Sequence, residues 1–159
     1  MPLVTLDEAR AHLRVEADYP EEQIQPYLDA AIDSAEQFLG RSVFATRDEL
    51  VTAKAAVPAA LVLAAGERDA AIAAAQQVED LATREWMCAQ ARADYEVALA
   101  NARRIGQGMV IKPSIKAAIL LTLGHLDENR EDVARGVSVT QLPIGAQHLL
   151  WPYRVNLGV

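Results

Sequence analysis

Asp29, Asp33 and Glu36 fall at spacings of four and three residues, which puts three carboxylates on one face of a helix. Carboxylate oxygens in such a row are the donors that hold a divalent cation, and the chemistry would be metal-assisted hydrolysis of a nucleotide phosphoanhydride. An all-α pyrophosphohydrolase of that type pairs acidic clusters on two helices. The other cluster here, Asp127, Glu128, Glu131 and Asp132, stands at a helix end before a loop. A solvated face opposite Leu28 and Ile32 explains the first row without a metal. His12, His125 and His148 are far apart and none has a neighbour at ligand spacing. Cys88 sits beside Trp86 and Met87 with no basic feature to lower its pKa, so it reads as a small apolar group rather than a nucleophile. No glycine-rich phosphate loop or serine elbow is present, and Gly106-x-Gly108 is too short for a dinucleotide fingerprint. No catalytic, cofactor-binding or metal residue is therefore assigned.

The elements that would carry these residues are helical. Thr5 and Glu8 have the spacing of a capping box, so a short helix begins at Leu6. Ile24, Leu28, Ala31, Ile32, Ala35, Phe38 and Leu39 recur at three- and four-residue steps, the stripe of a helix with one buried face. Gly40 ends it, because glycine enters the left-handed conformation without a Cβ penalty. Lys112 and Pro113 open another helix, whose residues 117–126 are apolar nearly all round and therefore belong in a core or between subunits. That helix stops at the polar cluster 127–131. Residues 137–142 alternate as a short strand, Pro143 and Gly145 break it, and a helical turn then runs into an aromatic and cationic tail.

Between these ends lies an Ala-rich segment, residues 53–104, which reads as an insertion. Gly66 predicts a helix break, and residues 67–104, free of glycine and proline, predict one long helix of about 57 Å unless it folds back. Ala74, Leu81, Cys88, Tyr95 and Ala102 repeat every seven residues, but Arg84 occupies a place where an apolar companion would be wanted. Small-residue packing against neighbouring subunits or the chain's own core, anchored by Trp86 and Met87, is the expected arrangement.

The order of parts is similar to a known family. Val-Thr-Leu-x-Glu-Ala-x-x-His-Leu-Arg-Val comes first, then a helix ending in Leu-Gly-Arg. Pro-x-Ile-Lys-x-Ala opens a long apolar helix, followed by Asn-Arg-Glu and Leu-Pro-x-Gly-x-x-x-Leu-Leu-x-Pro-Tyr-Arg. Over residues 3–41 and 111–154 the chain resembles the head-tail connector (adaptor) proteins of long-tailed double-stranded DNA phages and prophages; the Ala-rich middle departs from that pattern. The resemblance implies a structural virion protein, a ring matching the twelve-fold portal that extends the DNA channel toward the next neck or tail component. It also implies that the C-terminal tail engages the portal. Arg130, Leu149, Leu150, Trp151, Tyr153 and Arg154 are the candidate portal or subunit contacts, since Trp, Tyr and Arg concentrate energy at interfaces. Leu150 and Trp151 closing their own core is the competing reading.

Bulk properties narrow the field further. The 159 residues suit one domain, and a formal charge of −7 argues against a sequence-reading nucleic-acid binder, whose affinity rests on Lys and Arg. An acidic lumen that repels DNA phosphates fits a conduit. The single cysteine allows no intramolecular disulfide, and the first residues lack the pattern of a signal peptide, pointing to the host cytoplasm during assembly. Residues 115–123, taken as the longest strongly apolar run, are far short of the ~20 needed to cross a bilayer, so no membrane contact is expected. The expectation is a mainly α connector domain over residues 1–159, with a helical insertion, a short β element near the C-terminus and no cofactor. A metal-dependent nucleotide hydrolase and a generic cytoplasmic helical adaptor are the alternatives.

Overall fold

The computed structural model describes residues 1–129 and 142–155. Six helices follow in order: α1 (Leu6–Leu13), α2 (Glu21–Leu39), α3 (Arg47–Ala75), α4 (Leu81–Gly106), α5 (Pro113–Glu128) and α6 (Ile144–Leu150). Two short strands, β1 (Val43–Phe44) and β2 (Met109–Val110), and a final 3-10 turn (Trp151–Tyr153) complete them. The chain divides into two compact units, Met1–Arg47 with Met109–Val159, and Asp48–Gly108.

The first unit is built around α5, which packs against α1, α2 and α6. Ile115, Ala118, Ile119 and Leu123 are buried along one stripe, while Leu121 on the opposite side is 42% exposed. Ile24, Leu28, Ala31, Ala35 and Leu39 supply the facing stripe of α2, while Ala9 and Leu150 close the remaining sides. Thr122 is the one buried polar side chain among the described residues of this core, and its hydroxyl donates to the Ala118 carbonyl oxygen at 2.9 Å.

The helix ends follow the local chemistry. The Thr5 hydroxyl accepts from the Glu8 N–H at 3.2 Å, and Glu8 accepts the Thr5 N–H at 2.9 Å, completing the capping box. Gly40 takes φ +69° after α2, and Pro113 stands in the first turn of α5. The Lys116 ammonium donates to both Glu8 oxygens at 2.8 and 3.0 Å, tying α1 to α5.

The two strands lie where the chain leaves this unit and where it returns. They pair in parallel, Val43 with Met109 and Phe44 with Val110. Two residues are too few to show a period of two, so these strands carry no sequence signal. The strand expected at 137–142 falls, apart from Leu142, outside the described residues.

The second unit corrects the expectation for the Ala-rich segment. There is no break at Gly66: α3 runs unbroken through Pro58 and Gly66, and the chain turns between Ala75 and Leu81. Nothing lies within 4 Å of a Cβ built on Gly66, so that glycine serves no turn or close approach. Its helix penalty, about 1 kcal/mol, is absorbed by the alanines around it. At the true turn, Asp80 adopts an extended conformation and its carboxylate accepts the Thr83 N–H at 2.7 Å, starting α4. The two helices run antiparallel, since Leu61 and Val57 line one surface with Ala98, Ala102 and Ile105 while Arg68 faces Tyr95. Cys88, Tyr95 and Ala102 lie on one half-buried side that faces α3 of the same chain, but Ala74 and Leu81, the other two of the seven-residue repeat, are exposed, and Trp86, expected as an anchor, is 67% exposed.

Among the described residues, α3 and not the stretch 115–123 comes nearest to a membrane-spanning segment. With 29 residues and a window of mean hydropathy 1.5, it is long and apolar enough to cross a membrane by length and composition. Alanine spreads mild hydropathy over many residues, which a search for strongly apolar runs passes over.

Hydrogen bonds from Lys116 and from the Thr5 backbone hold the Glu8 carboxyl below its ordinary value of 4.5. A carboxylate depressed by folding stabilises the fold above its unfolded pKa, and that contribution disappears as pH falls through the lower folded value. Glu8→Gln is therefore expected to lower the thermal midpoint at neutral pH and to flatten the decline of stability in acid. Circular dichroism melts of both proteins across an acid series measure this; parallel curves would remove the ion pair from the account.

Candidate functional site

The tail singled out by its residue types folds back onto the first unit. Leu150 is fully buried in the core, and Leu149 packs against its edge. Trp151 stands beside them with 54% of its surface exposed. Its ring lies 6.3 Å from that of Phe38 on α2, tilted by 53°. The Arg154 guanidinium reaches over both, 5.0 Å from the Phe38 ring centroid and 5.7 Å from that of Trp151. Cation–π contacts of this partly solvated kind contribute about 0.5–1 kcal/mol each.

This platform is pinned at its edges. The Ser114 hydroxyl donates to the Tyr153 hydroxyl at 3.2 Å, and the Val155 N–H donates to the Leu39 carbonyl at 2.9 Å, which satisfies an orphan acceptor at the end of α2. Gly40 makes that approach possible, because a Cβ there would stand 3.0 Å from the Val155 carbonyl oxygen. Gln147 donates to the Leu142 carbonyl at 2.7 Å and fixes the start of α6. Ile144, Gln147, His148 and Trp151 line a shallow cavity of about 350 Å³. Ile144 is 74% exposed, so an apolar side chain stands in water beside the indole. Arg130 lies outside the described residues. Phe38 and Ile144 were missed as surface members: Phe38 sits in an ordinary core stripe, and Ile144 follows a helix-starting proline with no pattern around it.

The acidic row of α2 is occupied by structural tasks. Gln25 donates to Asp29 at 2.7 Å and Gln37 to Asp33 at 2.6 Å. Glu36 accepts the Val43 N–H at 2.6 Å and so positions β1. Among the described residues no three or more His, Cys, Asp or Glu side chains gather in a geometry that could hold a metal. A Cβ on Gly124 would meet His12 Nε2 at 3.4 Å, so His12 rests against α5.

Gly40→Ala introduces both a left-handed residue with a Cβ, costing roughly 1–2 kcal/mol, and a clash with the Val155 carbonyl. The expected outcome is a lowered thermal midpoint together with a more exposed Trp151, read as a red shift and increased quenching of its fluorescence in a Trp86→Phe background. Stability lost without a change at Trp151 would uncouple Gly40 from the tail.

No curated protein and no solved structure matches the chain. The model of the phage gp6-like head-tail connector family matches residues 3–85, just over half of the 159. That span takes in α1, α2, β1, α3 and the start of α4. It therefore runs through much of the segment that had read as a departure from the pattern, and it stops before residues 111–154. With the capped α1 and the Leu-Gly-Arg end of α2 inside a matched span that covers more than half of the chain, the chain belongs to the phage gp6-like head-tail connector proteins.

Proposed function

We propose that this connector is one subunit of a ring at the portal vertex of the phage head, extending the DNA channel into the neck. The connector family supplies the location at the head-tail junction. One observation carries the finer reading: the Phe38, Trp151 and Arg154 cluster is held rigidly at the surface while part of its aromatic area remains in water. Rigid, half-desolvated Trp and Arg side chains are what an interface anchor requires. In this proposal Trp151, Arg154 and Leu149 meet the portal, Leu150 and Tyr153 brace them from within, and Arg130 is a further contact of the connector.

The remaining parts of the proposal follow from charge and chemistry. The chain forms one connector domain that carries the α3–α4 segment as an insertion, and the ring matches the twelve-fold portal. At a formal charge of −7, acidic side chains facing the lumen repel DNA phosphates, so DNA passes without sequence-specific binding. The connector performs no chemistry, needs no cofactor, assembles in the host cytoplasm and hands the channel to the next neck or tail protein.

Substitution tests the anchor better than truncation, because removing Leu150 would open the core. Trp151→Ala and Arg154→Ala are each expected to weaken co-sedimentation with purified portal rings about tenfold or more, with helicity retained. Portal binding equal to wild type in both variants would rule the tail out as the docking surface.

A further inference from the structure

The second unit carries two apolar features with no partner among the described residues. One is a groove of about 260 Å³ on one side of the α3–α4 seam, lined by Ala56, Val57, Ala60, Ala98, Ala102 and Ile105 among others. Leu63 follows Ala60 by three residues and Val97 precedes Asn101 by four, so both stand on its rim, 65% and 61% exposed. The other is a ridge on the far side of α3. Val51, Ala55, Pro58 and Val62 succeed one another at steps of four, three and four, and Val51 and Val62 are 56% and 75% exposed.

Ridge and groove span the same turns of α3. A copy displaced sideways brings its ridge to its neighbour's groove with no shift along the helix axis. Two different, complementary surfaces at one level are the condition for a head-to-tail contact that closes into a ring instead of growing as a filament. Ridge and groove each run about 18 Å along α3, and packing continued over the whole hairpin, about 40 Å long and ~20 Å wide, would reach on the order of 800 Å², the share each partner gives to a stable protein interface. Alanines lining the groove let another helix approach closely.

A bilayer suits these surfaces poorly despite the length of α3. Its uncharged stretch, residues 55–66, covers about 18 Å against a hydrocarbon core of about 30 Å. The antiparallel α4 would carry Asp94, Glu96 and Arg103 to the same depth, where charges are costly.

We infer that the α3–α4 hairpin is the lateral contact between copies of this chain, the ridge of one subunit seated in the groove of the next. This rests on the ring reading above and names the surfaces that would close it.

Val62→Glu disables the ridge and Val97→Glu the groove rim, each at a position already exposed to water. Sedimentation velocity of the full chain, alone and with portal rings, is expected to show a cyclic assembly for wild type and monomers for each variant. Mixing the two variants is expected to restore one intact contact and stop at a dimer. Assembly of both variants like wild type overturns the hairpin contact and leaves the ring intact; a mixture that stays monomeric overturns the ridge-to-groove pairing. A wild type that remains monomeric in both conditions overturns the ring reading and this inference together. Flotation of wild type with phosphatidylglycerol vesicles, lost in Val62→Glu, would assign the ridge to lipid and also overturn it.

Discussion

The structure depends on covering α5. A helix this apolar has little polar surface to offer to water, although Leu121 stays 42% exposed, and leaving Ile115, Ile119 and Leu123 in water would forfeit about 1.5–3 kcal/mol for each. One neighbouring helix cannot enclose it. The cover comes from α1 and α2 at one end of the sequence and α6 at the other, which forces the two ends to fold together. Whatever lies between must then leave and return at nearly one place. The parallel pair β1 and β2 is the physical mark of that constraint: Met109 donates to the Ser42 carbonyl and Ile111 to that of Phe44, fastening the outgoing and incoming strands side by side.

The same constraint shapes the tail. Because α6 is the last side of the cover, Leu150 must be drawn inward, and the residues that follow are delivered to the end of α2. Trp151 and Arg154 therefore meet Phe38 as a consequence of core closure, and the aromatic surface left over is presented on a rigid support. A single side chain serves each purpose: Leu150 holds the fold, and its neighbour remains available for contact.

Much of this was legible in the residues. Capping chemistry at Thr5 and Glu8, Gly40 and Pro113 fixed three helix ends, and the stripe of α2 one buried face, because each rests on residues close in sequence. The hairpin turn was not legible, since Gln76, Gln77, Val78 and Glu79 carry no glycine or proline and only Asp80 marks a start. Gly66 and Pro58 pointed to a break that the surrounding alanines override. At the tail, Trp151 and Arg154 announced themselves by type, but their platform did not: Phe38 is a stripe residue whose exposed edge depends on how the chain's far end packs. The strand pair was invisible for a simpler reason, being set by tertiary closure and not by local pattern.

Alanine explains why the second unit behaves differently from the first. It favours the helix without supplying much area to bury, so two long helices form while only Ala75 and Ala91 become buried among the described residues between them. Helices of this length draw most of their stability in proteins from tertiary packing, and this pair has little within the chain. Its apolar surface is consequently the part of the molecule with most to gain from association, whereas the α5 core is already closed. The proposed docking tail and the proposed lateral contact thus draw on separate units, so either can be tested by substitution without opening the other.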